Sequence, residues 1–579
     1  MDKTSSVGSS PLRIWRSPYS DFYREETLHA ADVYTSEYLK ELAGAGFNAV
    51  WIRGILRDLV PTKVFLELGR NSAAHLRSLR TVIRRGRRAG VRVFLYMQPP
   101  MGMPEGAAFW RRYPEAQGAT VIHRGARMSA MCTSEPRVRA FLHEAAELLS
   151  KRLAGLGGVI LITASEFQAH CYSHYPDSLE ITFSTGTSRE PLGCSRCRQR
   201  PPRDIIREIF ENVRGGFRSA GSDAKIIAWN WSWSLYEKDP QNGIINSLPR
   251  DLTLMAGFER GAKKVILGKP RVVDEYALSY VGPSERFLAS HKAARRRGMT
   301  VMTKLQIGTT HELATVPNLP LIGNLYEKAR AIRRLRLGGF MGCWNFGNML
   351  TANTAAFNRF LAAKRLLPRP QALAAFARDY FPGCDAKLVV EAWETFARAM
   401  DTYPFCIPFL YYSPLNYAVA QAIEPGPLDE KPVGRSWMPD RRGDELKDSF
   451  GPYALREIIR GLGTLTQAWW RGVACLERGL LGCKAPAAQE ELNSVCMAGH
   501  CFRSGWNLYR AYRFRRKWSS SHLKPLRAIM CDEREHLADA LHVAASDRRM
   551  GFHSECQRYL FTASGIRKKI GRLDELLRL

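Results

Sequence analysis

No run of about 18 apolar residues occurs in this chain, so the sequence offers no candidate membrane-spanning helix. The stretch from Met1 to Pro11 is rich in Ser and Gly and lacks the apolar centre of a secretory leader, which leads to the expectation of a cytoplasmic protein. Cysteine is sparse, at 13 in 579 residues, and forms one close C-x-x-C pair, Cys194-Ser195-Arg196-Cys197. That excludes a small disulfide framework and makes reduced thiols the default. Internal repeats, low-complexity tracts and an early Gly-rich phosphate loop are missing. So are helix-turn-helix, zinc-finger and RNA-binding motifs, which sets nucleic acid aside as a partner. Acidic residues are short as well, with 55 Asp+Glu against 85 Lys+Arg, a net charge of +30. Such an excess suits a polyanion, an acidic polysaccharide above all. The runs Arg84-Arg85-Gly86-Arg87-Arg88, Arg295-Arg296-Arg297 and Arg333-Arg334-Leu335-Arg336 nevertheless lie near the ends of predicted helices, where cations complement the helix dipole.

What is present is a regular alternation of short apolar runs with helical patterns, in a chain whose 45% hydrophobic content is ample for a large core. The central run is Gly158-Val159-Ile160-Leu161-Ile162-Thr163-Ala164-Ser165-Glu166. It is too short for a helix and rich in β-branched residues, as expected of a strand buried on both faces. Similar runs at 12–18, 46–54, 91–98, 225–233, 252–259, 300–306 and 339–345 bring the total to eight. Eight strands alternating with helices predict an α/β fold, a (β/α)8 TIM barrel over 12–353. From Thr354 strand patterns cease, and helical patterns at 357–367, 371–380, 386–400, 453–478, 487–514 and 523–544 predict a mainly α-helical C-terminal domain over 354–579.

In such a barrel the carboxyl ends of the strands share one bowl. The residues there include Arg53, Gln98, Glu166, Asn230, Trp231, Glu259, His311, Glu312, Trp344 and Asn345. Carboxylates, amides, an arginine and indoles are a sugar-binding inventory. Glycoside hydrolysis needs two carboxyl groups across the scissile bond. Glu166, at the end of an unbroken apolar strand, is expected to be the general acid/base. Glu259, beside Arg260, or else Glu312, is expected to be the second carboxylate, with Arg53, Gln98, Asn230, Trp231, His311 and Trp344 binding the sugar. No cofactor is expected for catalysis.

These residues carry a resemblance. The Ser165-Glu166 end of strand four, the tryptophans at the ends of strands five and eight, and a barrel followed by helices resemble glycoside hydrolase TIM barrels that act from the ends of sugar chains. They are most similar to outlying relatives of the family 20 β-N-acetylhexosaminidase catalytic domain, over roughly 12–350. That family has Asp-Glu where this chain has Ser165-Glu166, which turns the expectation from substrate-assisted chemistry to one in which the protein supplies both carboxylates. Ala392-Trp393 and Tyr403-Pro404-Phe405 resemble segments of the helical domains that trail α-glucuronidase and α-N-acetylglucosaminidase barrels. The implied activity is an exo-acting glycosidase, on an acidic sugar if the positive charge serves the substrate. The rival from another class is a non-catalytic polyanion-binding protein on a barrel scaffold.

A second constellation follows strand four. Cys171, Cys194 and Cys197 with His170 have the ligand types of a structural tetrahedral zinc site, with His174 or Cys132 as alternative fourth ligands.

Overall fold

A computed structural model describes residues 11–123, 125–164, 167–173, 193–437 and 443–578. All eight expected strands are present: β1 Leu12–Trp15, β2 Ala49–Arg53, β3 Arg92–Met97, β4 Gly158–Ile162, β5 Lys225–Trp229, β6 Thr253–Gly257, β7 Thr300–Leu305 and β8 Gly339–Gly342. They pair in parallel around a closed barrel in the order β1-β8-β7-β6-β5-β4-β3-β2. The fold class is therefore the TIM barrel that the alternation predicts, followed by a helical C-terminal region. Strand β4 is buried at every position, which is why it shows no polar alternation. Closure depends on close backbone approach. A Cβ at Gly339 (φ 149°) would lie 2.3 Å from the Leu12 carbonyl oxygen, and one at Gly158 (φ 154°) 2.0 Å from that of Lys225.

The helices around the strands follow the same logic. Ser72–Ala89 buries His75, Leu76, Leu79, Val82 and Ile83 on one stripe, turns its arginines outward and ends at Gly90 in the left-handed region. Between β1 and β2 lie two helices, Glu26–Val33 and Ser36–Gly44, separated where Thr35 Oγ1 accepts from the Tyr38 amide and starts the second one. An antiparallel sheet of Met103–Pro104, Gln117–His123 and Ala126–Met131 is inserted between β3 and β4.

The chain forms two compact units. The first comprises the stretch up to Phe258 with Glu285–Leu305 and Arg336–Gly342, and so holds all eight barrel strands. The second comprises Glu259–Ser284, Gln306–Leu335 and Cys343–Leu579. Its long helices are Leu455–Gly479, Pro486–Arg515 and Leu523–Ser546, and the first two meet Ala386–Ala399 at the buried Trp469. The Trp469 ring lies 4.4 Å from that of Phe396, and its indole N–H donates to the Val495 carbonyl. This unit also holds two hairpins, Ala262–Ile266 with Lys269–Val273 and Phe552–His553 with Arg558–Tyr559. The second overturns the expectation that strands cease after Thr354. Among the described residues no helix is long and apolar enough to cross a membrane.

Candidate active site

In the first unit, aromatic rings gather around Arg53 at the carboxyl ends of β2, β3 and β5. The guanidinium of Arg53 lies over Phe22 and Phe167, 4.8 Å from each ring centroid, and donates to the Phe22 carbonyl at 3.0 Å. Its backbone N–H donates to Glu26, a carboxylate itself held by both nitrogens of the buried Arg16. Burial draws the Arg53 pKa below its ordinary value. The ring of Phe22 meets Tyr96, Tyr96 meets Trp229 and Trp229 meets Trp231, at centroid separations of 5.9, 6.2 and 5.8 Å. Gln98 is buried one residue past β3, and Asn230 follows β5 with its backbone N–H on the Met255 carbonyl. Arg53, Gln98, Asn230 and Trp231 are thus brought to one end of the barrel.

In the second unit a different group assembles. Glu275 is buried, its Oε1 accepting from the Tyr276 amide at 2.8 Å and its Oε2 from the Tyr411 hydroxyl at 2.7 Å. Burial, reinforced by the charge of Glu275, raises the Tyr411 pKa well above its usual value, so this phenol stays a donor. The ring of His311 packs among Phe346 at 4.1 Å, Tyr411 at 4.9 Å, Trp437 at 5.0 Å and His553 at 5.9 Å. Its Nε2 is 3.6 Å from Glu555 Oε2, and one ligand-type atom from each of His311, His553 and Glu555 falls within 4.8 Å of the others. Burial lowers the His553 pKa to about 3, so the imidazole is neutral. Its Nδ1 accepts from the Glu555 amide, which leaves the proton on Nε2. That buried Nε2 has no hydrogen-bond partner among the described residues, and neither has Nδ2 or Oδ1 of Asn345. Within this unit the Asn345 segment is tied to the 552–555 turn, since the Ser554 hydroxyl donates to the Asn345 carbonyl at 2.7 Å. Buried polar atoms left open beside carboxylates and aromatic faces are what a hydroxyl-rich ligand would satisfy.

The structural neighbours of the chain are glycoside hydrolases. A GH138 enzyme targeting pectin rhamnogalacturonan II superposes with a TM-score of 0.53 at 11% identity, covering 98% of this chain and 84% of its own. A family 89 glycoside hydrolase from Clostridium perfringens, in complex with PUGNAc, gives 0.53 at 11% identity, covering 98% of this chain and 59% of its own. The family 89 enzyme in complex with GlcNAc-α-1,4-galactose gives 0.52 at 10%, with 58% of that chain covered. This chain therefore spans under two thirds of the family 89 structures, and the likeness is one of fold. No protein-family model matches the sequence, and no curated protein is similar to it.

The expected catalytic residues fare differently from the expected binding ones. Glu166 lies outside the described residues, as does His174. Glu259 is 1% exposed, and its Oε1 accepts from Lys328 Nζ at 2.6 Å and from the Gln306 amide at 2.9 Å. Lys328 spends its other donors on the Ala277 and Gln306 carbonyls. This buried ion pair ties the 259–284 and 306–335 segments of the second unit together. Glu312 is fully buried and accepts from the Leu278 and Ser279 amides and the Thr310 hydroxyl, so it braces a loop. His311 does belong to the aromatic cluster, whereas Trp344 is buried, with its carbonyl accepting from Asn348. His170 is not a fourth metal-type ligand. Its Nε2 is taken by the Thr163 carbonyl and its Nδ1 by the Tyr172 amide, and Cys132 joins Cys171, Cys194 and Cys197 instead. The sequence reading missed Glu275, His553 and Glu555. The tyrosine-rich stretch at 411–417 was a signal for Tyr411, but no periodicity announces a two-residue strand such as Phe552–His553.

Proposed function

We propose that this protein is a glycoside hydrolase that cleaves a terminal sugar from a glycoside or oligosaccharide. The observation that carries the reading is the pairing of open buried polar atoms, on Asn345 and His553, with the carboxylates of Glu275 and Glu555 and the rings of His311, Tyr411 and Trp437. The barrel, whose neighbours are glycoside hydrolases, supports it. The general acid/base is assigned to Glu166 from its place after β4 in the chain. The second carboxylate is reassigned on its own surroundings from Glu259 and Glu312 to Glu275, which accepts from the Tyr276 amide and the Tyr411 hydroxyl beside the ring of His311. The finer likeness to family 20 rests on the sequence alone, and Ser165 argues for a reaction in which both carboxyl groups belong to the protein. A panel of nitrophenyl glycosides, neutral and uronic, tests the reading. Glu166→Gln and Glu275→Gln should each lower kcat/KM by about 10²–10⁴-fold with an unchanged melting temperature. Full activity in both variants would refute the assignment.

The polyanion-binding rival has one feature in its favour: Arg80, Arg84, Arg87, Arg88 and Arg152 line a surface depression in the first unit. It requires binding of an acidic glycan whose affinity falls steeply with salt, and no turnover of any glycoside.

A further inference from the structure

The four cysteines that gather beside β4 belong wholly to the first unit and come from three places in the chain. Cys132 directly follows the strand Ala126–Met131, Cys171 follows β4, and Cys194 and Cys197 bracket the first turn of the helix Ser195–Arg198. All four are buried, with relative exposures between 0 and 5%. Their sulfur atoms lie within 4.8 Å of one another, with Cys132 Sγ 3.6 Å from Cys194 Sγ and 3.5 Å from Cys197 Sγ. A disulfide would bring two of them to about 2.05 Å. For tetrahedral zinc with metal–sulfur bonds of about 2.3 Å, each sulfur–sulfur edge is about 3.8 Å, close to the spacing here.

The surroundings are those of thiolates rather than of small core residues. The Ala119 amide N–H points at Cys171 Sγ at 3.4 Å, and the Ser134 hydroxyl lies 3.2 Å from Cys197 Sγ. Gly118 makes room, since a Cβ there would sit 2.4 Å from Cys171 Sγ. Arg196, between the two cysteines of the C-x-x-C pair, donates to the Glu115 and Gln117 carbonyls, both at 2.6 Å, and Tyr172 donates to the Cys197 carbonyl. Four buried thiols facing one point without such a centre would give up hydration for weak S–H contacts alone.

We infer that Cys132, Cys171, Cys194 and Cys197 bind one zinc ion as a closed structural centre of four thiolates. With four protein ligands it has no open position for substrate or water, so its work is mechanical. It clamps the inserted sheet of 103–131 to the segment that leaves β4, where Gln168 already reaches the Ala119 carbonyl and the Gly102 amide reaches that of Gln168. The inference stands independently of the glycosidase reading.

The full-length chain, purified in a thiol reductant without added metal, should contain about one zinc per molecule by plasma mass spectrometry. Cobalt(II) exchanged into it should show the visible bands of a tetrahedral ion with thiolate charge transfer. Cys132→Ser should lose or weaken the metal, while His170→Gln and the exposed-cysteine control Cys531→Ser should retain it. Zinc removal should speed hydrogen exchange at 117–131 and 167–173 before the rest of the barrel. Three results would each overturn the centre: a zinc-free wild-type chain that takes up no cobalt, native disulfides among the four, or a Cys132→Ser protein that binds zinc as tightly as the parent. The wild-type metal content and cobalt spectrum decide the matter even where a variant fails to fold.

Discussion

Lys328 and Glu259 show how a residue at a strand end can be spoken for from far along the chain. The ammonium and carboxylate are both buried, 2.6 Å apart, and 69 positions separate them in sequence. Removing one partner strands a buried charge, so Lys328→Met or Glu259→Gln should cost about 3–5 kcal/mol in denaturant unfolding, and the double substitution should recover most of it. A glycosidase nucleophile would behave otherwise, losing turnover and keeping stability. Glu491 makes a second prediction, about pH. Its carboxyl group is buried, with one hydrogen bond from Asn318 at 2.8 Å, and burial raises its pKa from 4.5 to about 7 against the pull of that bond. The folded chain therefore holds this proton more tightly than the unfolded chain. The associated stability is fully present below about pH 4.5 and is lost as pH rises towards about 7, a change of about 3 kcal/mol. Glu491→Gln should escape that loss, so its melting temperature should gain on the parent between about pH 5 and pH 8.

Elements were legible in proportion to how completely they are buried. The barrel strands read as unbroken apolar runs because helices or neighbouring strands cover both faces, and all eight lie within the expected stretches. The hairpin Ala262–Ile266 was not read, because Lys263 and Lys264 interrupt a short strand whose middle is largely open. The inserted sheet was hidden in the same way, Gln117–His123 carrying no clean alternation. The long helices after residue 450 announced themselves by their apolar stripes. The site was legible only as an inventory of strand ends. That inventory placed Arg53 and Trp231 at strand ends and His311 in the loop after β7, but position after a strand does not reveal which carboxylate a distant lysine or a loop amide will claim. Cys132 was visible as one of three alternatives, and only the pairing of its strand with Gln117–His123 selects it.

Taken as a whole, the molecule is not built as one stretch of chain followed by another. The second unit takes in two segments that lie between barrel strands, 259–284 and 306–335, and its contacts show why. Asn416 accepts from the Ala314 amide and reaches the His311 carbonyl, Tyr403 donates to the Glu312 carbonyl, Tyr411 to Glu275, and the Gly551 amide to Thr315. A chain ended at residue 353 keeps all eight strands but strips those segments of every one of these partners. It should bind a dye for exposed apolar surface and unfold without a cooperative transition, whereas a self-sufficient barrel would melt sharply. The same interleaving bears on how the protein is made. Strands β7 and β8 leave the ribosome while the helices that complete their intervening segment are still unwritten. At roughly 5–20 residues per second that interval lasts on the order of tens of seconds. For that long the newborn barrel carries two unfinished segments into a crowded cytosol or export path, a window in which chaperones, rather than its own core, must keep it from its neighbours.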